Sequence, residues 1–325
     1  MKKKIIVLGA TGSIGQSTLD IIEKCNDKFQ VVGVSANSNK KKLSEICKKF
    51  GPNNVLFSDK NVQNNLQKSE FNGDTKFFFG NDLYQEFFDI DFDLVVNGIS
   101  GFAGIKPTFV VIEKGKDIAI ANKETIVSGG KLIIEKSKLS GSKIIPIDSE
   151  HNALFQLMKN YELHEIDKIT LTASGGPFRR DTYKELSKRK YSEALNHPTW
   201  NMGTKNTIDS ASLMNKGLEV IEASVLFSLP SNKISVLVHP ESIIHGIIHL
   251  IDGGIISYMS QPDMRVPIYN AMNFPYTFKH FLPSYEFGNL SFHNLNENIF
   301  PSIKIARYAL EKGFIATNFF NAANE

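Results

Sequence analysis

The sequence predicts an α/β chain in three stretches: an amino-terminal doubly wound parallel sheet, an α+β domain after it, and the start of a helical carboxy-terminal domain. Three observations carry that reading. Up to about Glu150 short β-branched runs alternate with helix-like stretches, the pattern of a parallel sheet with right-handed crossovers. Beyond it, strand-like runs follow one another with fewer helices between. From Ser302 the apolar period becomes helical. The boundaries fall at 1–148, 149–273, a connecting segment over 274–300, and 301–325.

Ile5-Ile6-Val7-Leu8 is composed as a buried parallel strand, followed by a glycine-rich turn and a helix around Ser17 to Lys24. Val31 to Ser35 reads as the second strand and Lys40 to Phe50 as a lysine-rich helix. Asn53 to Gly80 is polar and asparagine-rich, and is expected to be a connecting excursion. Leu94-Val95-Val96, Ile118-Ala119-Ile120 and Ile144-Ile145 continue the strands. In the second stretch Ile166 to Ala173, Ile234 to Val238 and Ile243 to Tyr258 read as strands. Pro262, Pro267, Pro275 and Pro283 then punctuate a connecting segment. Ile303, Ala306, Ala309 and Leu310 fall on one face of a final helix.

The composition is that of an ordinary globular chain. Of 325 residues, 42% are hydrophobic and 22% charged, and the net charge is +3, which gives no reason to expect a nucleic-acid or lipid surface. Cys25 and Cys47 have no metal-type spacing and suit a reducing compartment. No apolar run approaches the length of a membrane span, and Met1 to Lys4 leads only into a short strand, so the chain is expected to be soluble and cytoplasmic, without a signal peptide.

Gly9-Ala10-Thr11-Gly12-Ser13-Ile14-Gly15 follows the first strand and opens a helix. Glycines let the backbone approach a pyrophosphate, and the helix amino terminus offers unpaired N–H groups. The spacing is G-x-x-G-x-x-G rather than G-x-G-x-x-G, so the Rossmann-like context carries the dinucleotide reading against a plain β–α turn. The second strand runs into Ser35-Ala36-Asn37-Ser38-Asn39-Lys40, with no acid for ribose hydroxyls and with Lys40, Lys41 and Lys42 close behind. That favours the 2′-phosphate of NADP over NAD, although the lysines also fit a solvated helix face.

Asp148 and Glu150 come at the end of a strand, where open α/β sheets place ligands, and in an extended segment both point to one side. Paired carboxylates suit a hard divalent cation, Mg²⁺ or Mn²⁺, but such pairs are also common surface decoration. Asn215 and Glu219 lie one helical turn apart with Lys216 beside them, offering a third acid. Ser174-Gly175-Gly176 and Asp209-Ser210-Ala211-Ser212 supply hydroxyls and exposed amides of the kind that hold a dianionic phosphate, with Lys216 as the point charge. Each of these turns alone is commonplace. The single tryptophan, Trp200, lies between Pro198 and Gly203, as in a water-excluding lid or equally as in a core. His245 and His249 sit on a strand at a separation of about 13 Å, too far to share a metal.

The glycine loop, Asn122-Lys123-Glu124, Asp148-Ser149-Glu150-His151-Asn152, Ser174 to Phe178, His197 to Gly203, Asn215 to Glu219 and Gln261 to Arg265 together closely resemble the 1-deoxy-D-xylulose 5-phosphate reductoisomerase family, in its order and across nearly the whole chain. The resemblance implies NADPH held by Thr11, Gly12, Ser13, Ile14, Asn37, Ser38, Asn39, Asn122, Glu124 and Gly203. It implies a divalent metal (Mg²⁺ or Mn²⁺, with Co²⁺ as a further metal) on Asp148, Glu150 and Glu219. Substrate, a phosphorylated sugar, falls to Lys123, Ser149, Glu150, Ser174, His197, Ser210, Asn215, Lys216 and Glu219, with Lys123, Glu150 and His197 as catalytic residues. The implied reaction is a metal-assisted skeletal rearrangement to an aldehyde phosphate, then hydride delivery by NADPH, in a homodimer with no nucleic-acid or membrane partner. Many relatives carry a basic residue near Ser38; this chain does not, which leaves the 2′-phosphate contacts open.

Two rival readings fare worse. A phosphorylating aldehyde dehydrogenase needs a nucleophilic cysteine in its second domain, and no cysteine follows Cys47. An NADP-binding regulator without catalysis leaves three acids, the serines and Lys216 without a purpose. The sequence stops inside a helical pattern that family members continue, so the chain is expected to be a shortened form. The apolar residues Ile303, Ala306, Leu310, Phe314, Phe319 and Phe320 are then expected to be exposed or docked on the second domain or another subunit.

Overall fold

The structure is a computed structural model that describes residues 1–196, 198–200, 203–286 and 288–325. His197, to which a catalytic and substrate-binding role falls by resemblance, lies outside the described residues. The chain divides into two units: Met1–Thr125, Lys131–Ile147 and Ile268–Phe281 form the first, and Ile126–Gly130, Asp148–Pro267 and Leu282–Glu325 the second.

The first unit is a parallel sheet wrapped in helices. Its elements are β1 (Lys3–Leu8), α1 (Ser13–Lys24), β2 (Phe29–Ala36), α2 (Lys40–Phe50), β3 (Asn54–Phe57), β4 (Lys76–Phe79), α3 (Tyr84–Phe87), β5 (Leu94–Asn97), α4 (Ile105–Glu113), β6 (Asp117–Ile120), most of α5 (Lys123–Ser140) and β7 (Ile144–Pro146). The strand order is β4-β3-β2-β1-β5-β6-β7 with every pairing parallel. Ile5, Ile6, Val7 and Leu8 are wholly buried, as expected of a central strand covered on both faces. Chain direction across the sheet reverses between β1 and β5, so the loop after β1 sits at the topological switch point.

The stretch from Asn53 to Gly80 is not a plain excursion. It contributes β3 and β4, which extend the sheet by two strands. Val55, Leu56 and Phe57 are fully buried, and Phe57 stacks on Phe79 with ring centroids 6.1 Å apart. Each strand has only four residues, so its apolar signal is too brief to stand out from the asparagines around it, and sheet pairing supplies what local pattern lacks.

The second unit has a four-stranded sheet in the order β11-β10-β8-β9. Its elements are α6 (Ser149–Met158), β8 (Ile166–Ala173), α7 (Tyr183–Leu186), α8 (Tyr191–Ala194), α9 (Thr204–Ala211), α10 (Met214–Phe227), β9 (Ile234–Val238), β10 (Ile244–Leu250), β11 (Ile255–Met259), α12 (Ser302–Lys312) and α13 (Phe314–Asn324). The run Ile243 to Tyr258 is a hairpin, β10 and β11, turning through Gly253 at φ +92°. Helix α11 (Arg265–Asn273) forms where proline was expected to punctuate a linker; Pro267 sits in its first turn, where no amide bond is lost.

The final helices dock within this unit. Ile303 joins the core of Leu154, Ile169, Val220 and Ile248, while Ala306, Ala309 and Phe320 pack with Leu218 and Ile221 of α10. Gly217 permits the approach: a Cβ there would lie 2.8 Å from the Phe320 ring and 3.0 Å from the Ser302 carbonyl oxygen. Phe314 and Phe319 stay exposed, at 53% and 71%. The docking fixes α10, which carries Asn215, Lys216 and Glu219.

Candidate active site

In the first unit, the loop after β1 is shaped by close backbone packing. Gly9 has φ +68°, and a Cβ on it would lie 2.8 Å from the Gly98 carbonyl oxygen; one on Gly15 would lie 2.5 Å from the Ala10 Cα. Gly12 is the N-cap of α1 and has no side chain to satisfy the first N–H groups of that helix. Those groups and the helix dipole form an anion site that suits a pyrophosphate. Ile14 packs on Gly98, just beyond β5, so the Asn97-Gly98 step shapes the loop too, a contribution not singled out from sequence.

The residues after β2 divide their labour. Asn39 caps α2, accepting from the Lys42 amide at 3.1 Å, and Asn37 accepts from the Ser58 hydroxyl at 2.8 Å. The lysines are partly engaged: Lys42 Nζ donates to the Thr11 carbonyl at 2.9 Å and Lys40 Nζ to Asn65 Oδ1 at 2.9 Å. Asn122 caps α5 by accepting from the Thr125 amide at 3.0 Å, and donates to the carbonyls of Ile99 and Gly101 at 2.5 and 2.6 Å. Its side chain thereby ties the start of α5 to the loop after β5. Lys123 and Glu124 follow in the first turn of α5, both buried.

In the second unit the carboxylates converge, but not by alternation along a strand. Asp148 is the N-cap of α6 and Glu150 lies in its first turn. A helix start, not an extended segment, therefore presents them. Glu219 reaches them from α10, and one oxygen from each of Asp148, Glu150 and Glu219 lies within 4.8 Å of the others. The turn into α10 is made by Leu213, left-handed at φ +59° yet buried among Phe178, Ala211 and Phe300. A β-carbon costs energy in that conformation, and the surrounding core holds it in place. It sets Asn215 and Lys216 in the first turn of α10.

Three carboxylates so close, Asp148 and Glu219 buried and Glu150 half-buried, repel one another unless a cation intervenes. Lys216 Nζ donates to Glu150 Oε1 at 2.6 Å and to Glu219 Oε2, and Asn215 Nδ2 donates to Glu219 Oε1. Ser149 Oγ donates to Glu150 Oε2 at 2.5 Å. Burial, with the Glu219 charge added, pushes Glu150 up to about 7 in spite of Lys216. Burial works against the Lys216 ammonium, but the charges of Glu150 and Glu219 outweigh it and hold the proton firmly. All three converging donors are carboxylate oxygens, a set that fits a hard divalent cation.

The phosphate-type groups lie in the same unit. Ser174 follows directly on β8, and its Oγ accepts from the Gly176 amide at 3.3 Å. Gly176, at φ +69°, approaches α9 so closely that a Cβ would lie 2.5 Å from the Ser210 carbonyl oxygen. The Ser174 turn and Ser210 are thus brought together by a contact only glycine allows. Gly203 is the N-cap of α9. Trp200 is half-buried with its ring 6.1 Å from that of His245. His245 and His249 both lie on β10, as the strand reading required. Burial pushes His245 down to about 4, so its ring is neutral. His151 and Glu222, buried behind the carboxylates, were not singled out as site residues from sequence; on α10 the spacing Glu219 to Glu222 was the available signal.

Family models described as 1-deoxy-D-xylulose 5-phosphate reductoisomerase, its C-terminal domain, and the DXP reductoisomerase C-terminal domain match residues 5–130, 144–227 and 259–325. The chain is 44% identical over 329 residues to a 1-deoxy-D-xylulose 5-phosphate reductoisomerase of Clostridium kluyveri, spanning 99% of this chain and 86% of that one. The counterpart from Thermodesulfovibrio yellowstonii is 43% identical, over 99% and 85%. Among solved structures it is similar to a DOX-P reductoisomerase in complex with NADPH, fosmidomycin and magnesium, with TM-score 0.92 and 36% identity over 99% of this chain and 82% of that one. The Zymomonas mobilis enzyme in complex with NADPH gives TM-score 0.91 and 37% identity over 99% and 85%.

Proposed function

The chain belongs to the 1-deoxy-D-xylulose 5-phosphate reductoisomerase family, and from that premise we propose how its residues divide the work of an NADPH-dependent conversion of 1-deoxy-D-xylulose 5-phosphate to 2-C-methyl-D-erythritol 4-phosphate. The observation that carries the proposal is the convergence of Asp148, Glu150 and Glu219 within 4.8 Å beside the buried Lys216. These three carboxylates hold the divalent metal. When bound, the metal supplies Lewis acidity toward the substrate's oxygens and NADPH supplies the hydride.

The remaining roles belong to the protein. Ser174, Ser210, Asn215 and Lys216 bind the phosphate, the serines and amide by hydrogen bonds and Lys216 as the point charge. Thr11, Gly12, Ser13 and Ile14 receive the pyrophosphate at the α1 amino terminus, and Asn37, Ser38 and Asn39, at the start of α2, face the ribose end. Asn122, Glu124 and Gly203 complete the cofactor set. Ser149 and Lys123 bind the reacting hydroxyls together with Glu150, and Lys123 and Glu150 move the protons there; a carboxylate poised near neutrality can both take and return one. His197 belongs to the substrate set by resemblance. The homodimer rests on the same resemblance and a cytoplasmic location on the cysteine usage and apolar pattern of the sequence; among the described residues no helix is long and apolar enough to cross a membrane.

Oxidation of NADPH in the presence of deoxyxylulose phosphate, with and without Mg²⁺ or Mn²⁺, tests the assignment directly; turnover independent of metal would reject the three-acid site. NADPH is expected to exceed NADH in kcat/KM by about 10- to 100-fold, the worth of one or two hydrogen bonds to a charged group. Equal values would remove the reading of Ser35 to Lys42. Metal binding requires Glu150 ionised. Affinity for Mn²⁺ is therefore expected to rise with pH up to about 7 and to level off above it. Titration by electron paramagnetic resonance at several pH values checks this, and a flat profile speaks against Glu150 as a ligand.

A further inference from the structure

Behind the three acids lies a buried group that the proposed chemistry does not use. His151, fully buried on α6, has Nε2 2.9 Å from the carbonyl oxygen of Glu219. Its Nδ1 stands 3.3 Å from Asp148 Oδ1 and 3.5 Å from Glu222 Oε2. A backbone carbonyl only accepts, so Nε2 bears a hydrogen and donates it. Nδ1 faces two carboxylates, and a hydrogen there is drawn to both. Phe227 stacks on the ring at 6.3 Å and limits its tilt.

Asp148, His151 and Glu222 also lie close enough together to hold a cation. His151 Nε2 is taken up by the Glu219 carbonyl and Nδ1 stands between two carboxylates, an arrangement that orients side chains on both helices. The ring touches two of the proposed ligands by different routes: Asp148 through its side chain, and Glu219 through its backbone. Glu222 is one turn beyond Glu219 on α10, on the same rigid element.

We propose that Glu222, acting through His151, is a positioning residue that fixes the separation of the Asp148 and Glu219 carboxylates. It anchors the imidazole from α10; the imidazole in turn holds the α6 start against α10. This inference rests on the reading of Asp148, Glu150 and Glu219 as metal ligands. Outer groups that orient metal ligands typically contribute a factor of about 10 to 100 in metal affinity.

The test is Mn²⁺ binding to the full chain, followed by electron paramagnetic resonance without turnover, in Glu222→Gln, Glu222→Asp and Glu219→Gln. Glu222→Gln is expected to raise the Mn²⁺ Kd by about tenfold, to keep kcat within about threefold at saturating metal, and to leave the NADPH Kd unchanged. Glu222→Asp, which keeps the charge but withdraws it by one methylene, is expected to fall between. A Kd within twofold of the unmodified protein in folded Glu222→Gln overturns the inference, provided Glu219→Gln abolishes binding. If Glu219→Gln also leaves binding unchanged, it is the ligand assignment that fails. Should both Glu222 variants fail to fold while His151→Gln folds and binds Mn²⁺ normally, Glu222 serves the packing of α10 and the inference is likewise overturned.

Discussion

Glu219→Gln is expected to lower kcat/KM by about three orders of magnitude while leaving the unfolding midpoint nearly unchanged. A metal contributes several kcal/mol to charge stabilisation in the transition state, and each 1.36 kcal/mol is about tenfold in rate. Glutamine is close to isosteric, its one carbonyl oxygen still accepts from Lys216, its amide group meets Asn215 once that side chain turns its own oxygen inward, and one of three repelling charges is removed, so the fold has little to lose. Steady-state kinetics over a metal titration, beside thermal unfolding, reads both arms. Near-normal kcat without added metal demand would exclude Glu219 from the metal site.

Lys216→Met is expected to be the most damaging change to stability. It leaves Glu150 and Glu219 buried together without their common cation, and breaking a buried pair by removing one partner costs about 3–5 kcal/mol. The deficit has a defined pH dependence. Glu150 already sits at about 7, above the ordinary 4.5, and loss of the ammonium raises it further. A carboxyl that holds its proton in the folded state but releases it when unfolded loses stability as pH rises between those two values. The variant is therefore expected to approach the unmodified protein in urea unfolding near pH 4.5 and to fall furthest behind it above pH 7. A deficit independent of pH would mean that Lys216 matters for packing, not for the carboxylates. Turnover is expected to fall as well, on the proposal that Lys216 is the point charge for the phosphate.

The asymmetry between Glu219 and Lys216 comes from charge count. Removing an acid from an over-charged cluster relieves it; removing the single cation exposes it. Glu222 falls between, because its charge is matched by the His151 ring instead of by Lys216.

Much of this chain was decided locally. The loop from Gly9 to Gly15 announces itself because glycines after a β-branched strand have few other uses, and the four wholly buried residues of β1 follow from an unbroken apolar run. Asp148, Glu150 and Glu219 could be named as an acid set from type and spacing together with the family resemblance, and Asn215 to Glu219 really is one helical turn. Sequence alone did not determine how the acids meet. Asp148 and Glu150 were expected to share the side of a strand, whereas the chain turns into α6 at Ser149, because helix entry there is settled by packing of His151, Ala153 and Leu154 in the second unit's core. Strands β3 and β4 escaped notice for a related reason: four residues carry too little period, and pairing of β3 with β2 and of β4 with β3 supplies the missing stability. The left-handed Leu213 and the Gly176 approach to Ser210 have no local signature, and the His151 bridge to Glu222 has only the Glu219 to Glu222 spacing. Each depends on residues far apart in the chain, so only tertiary packing could decide them.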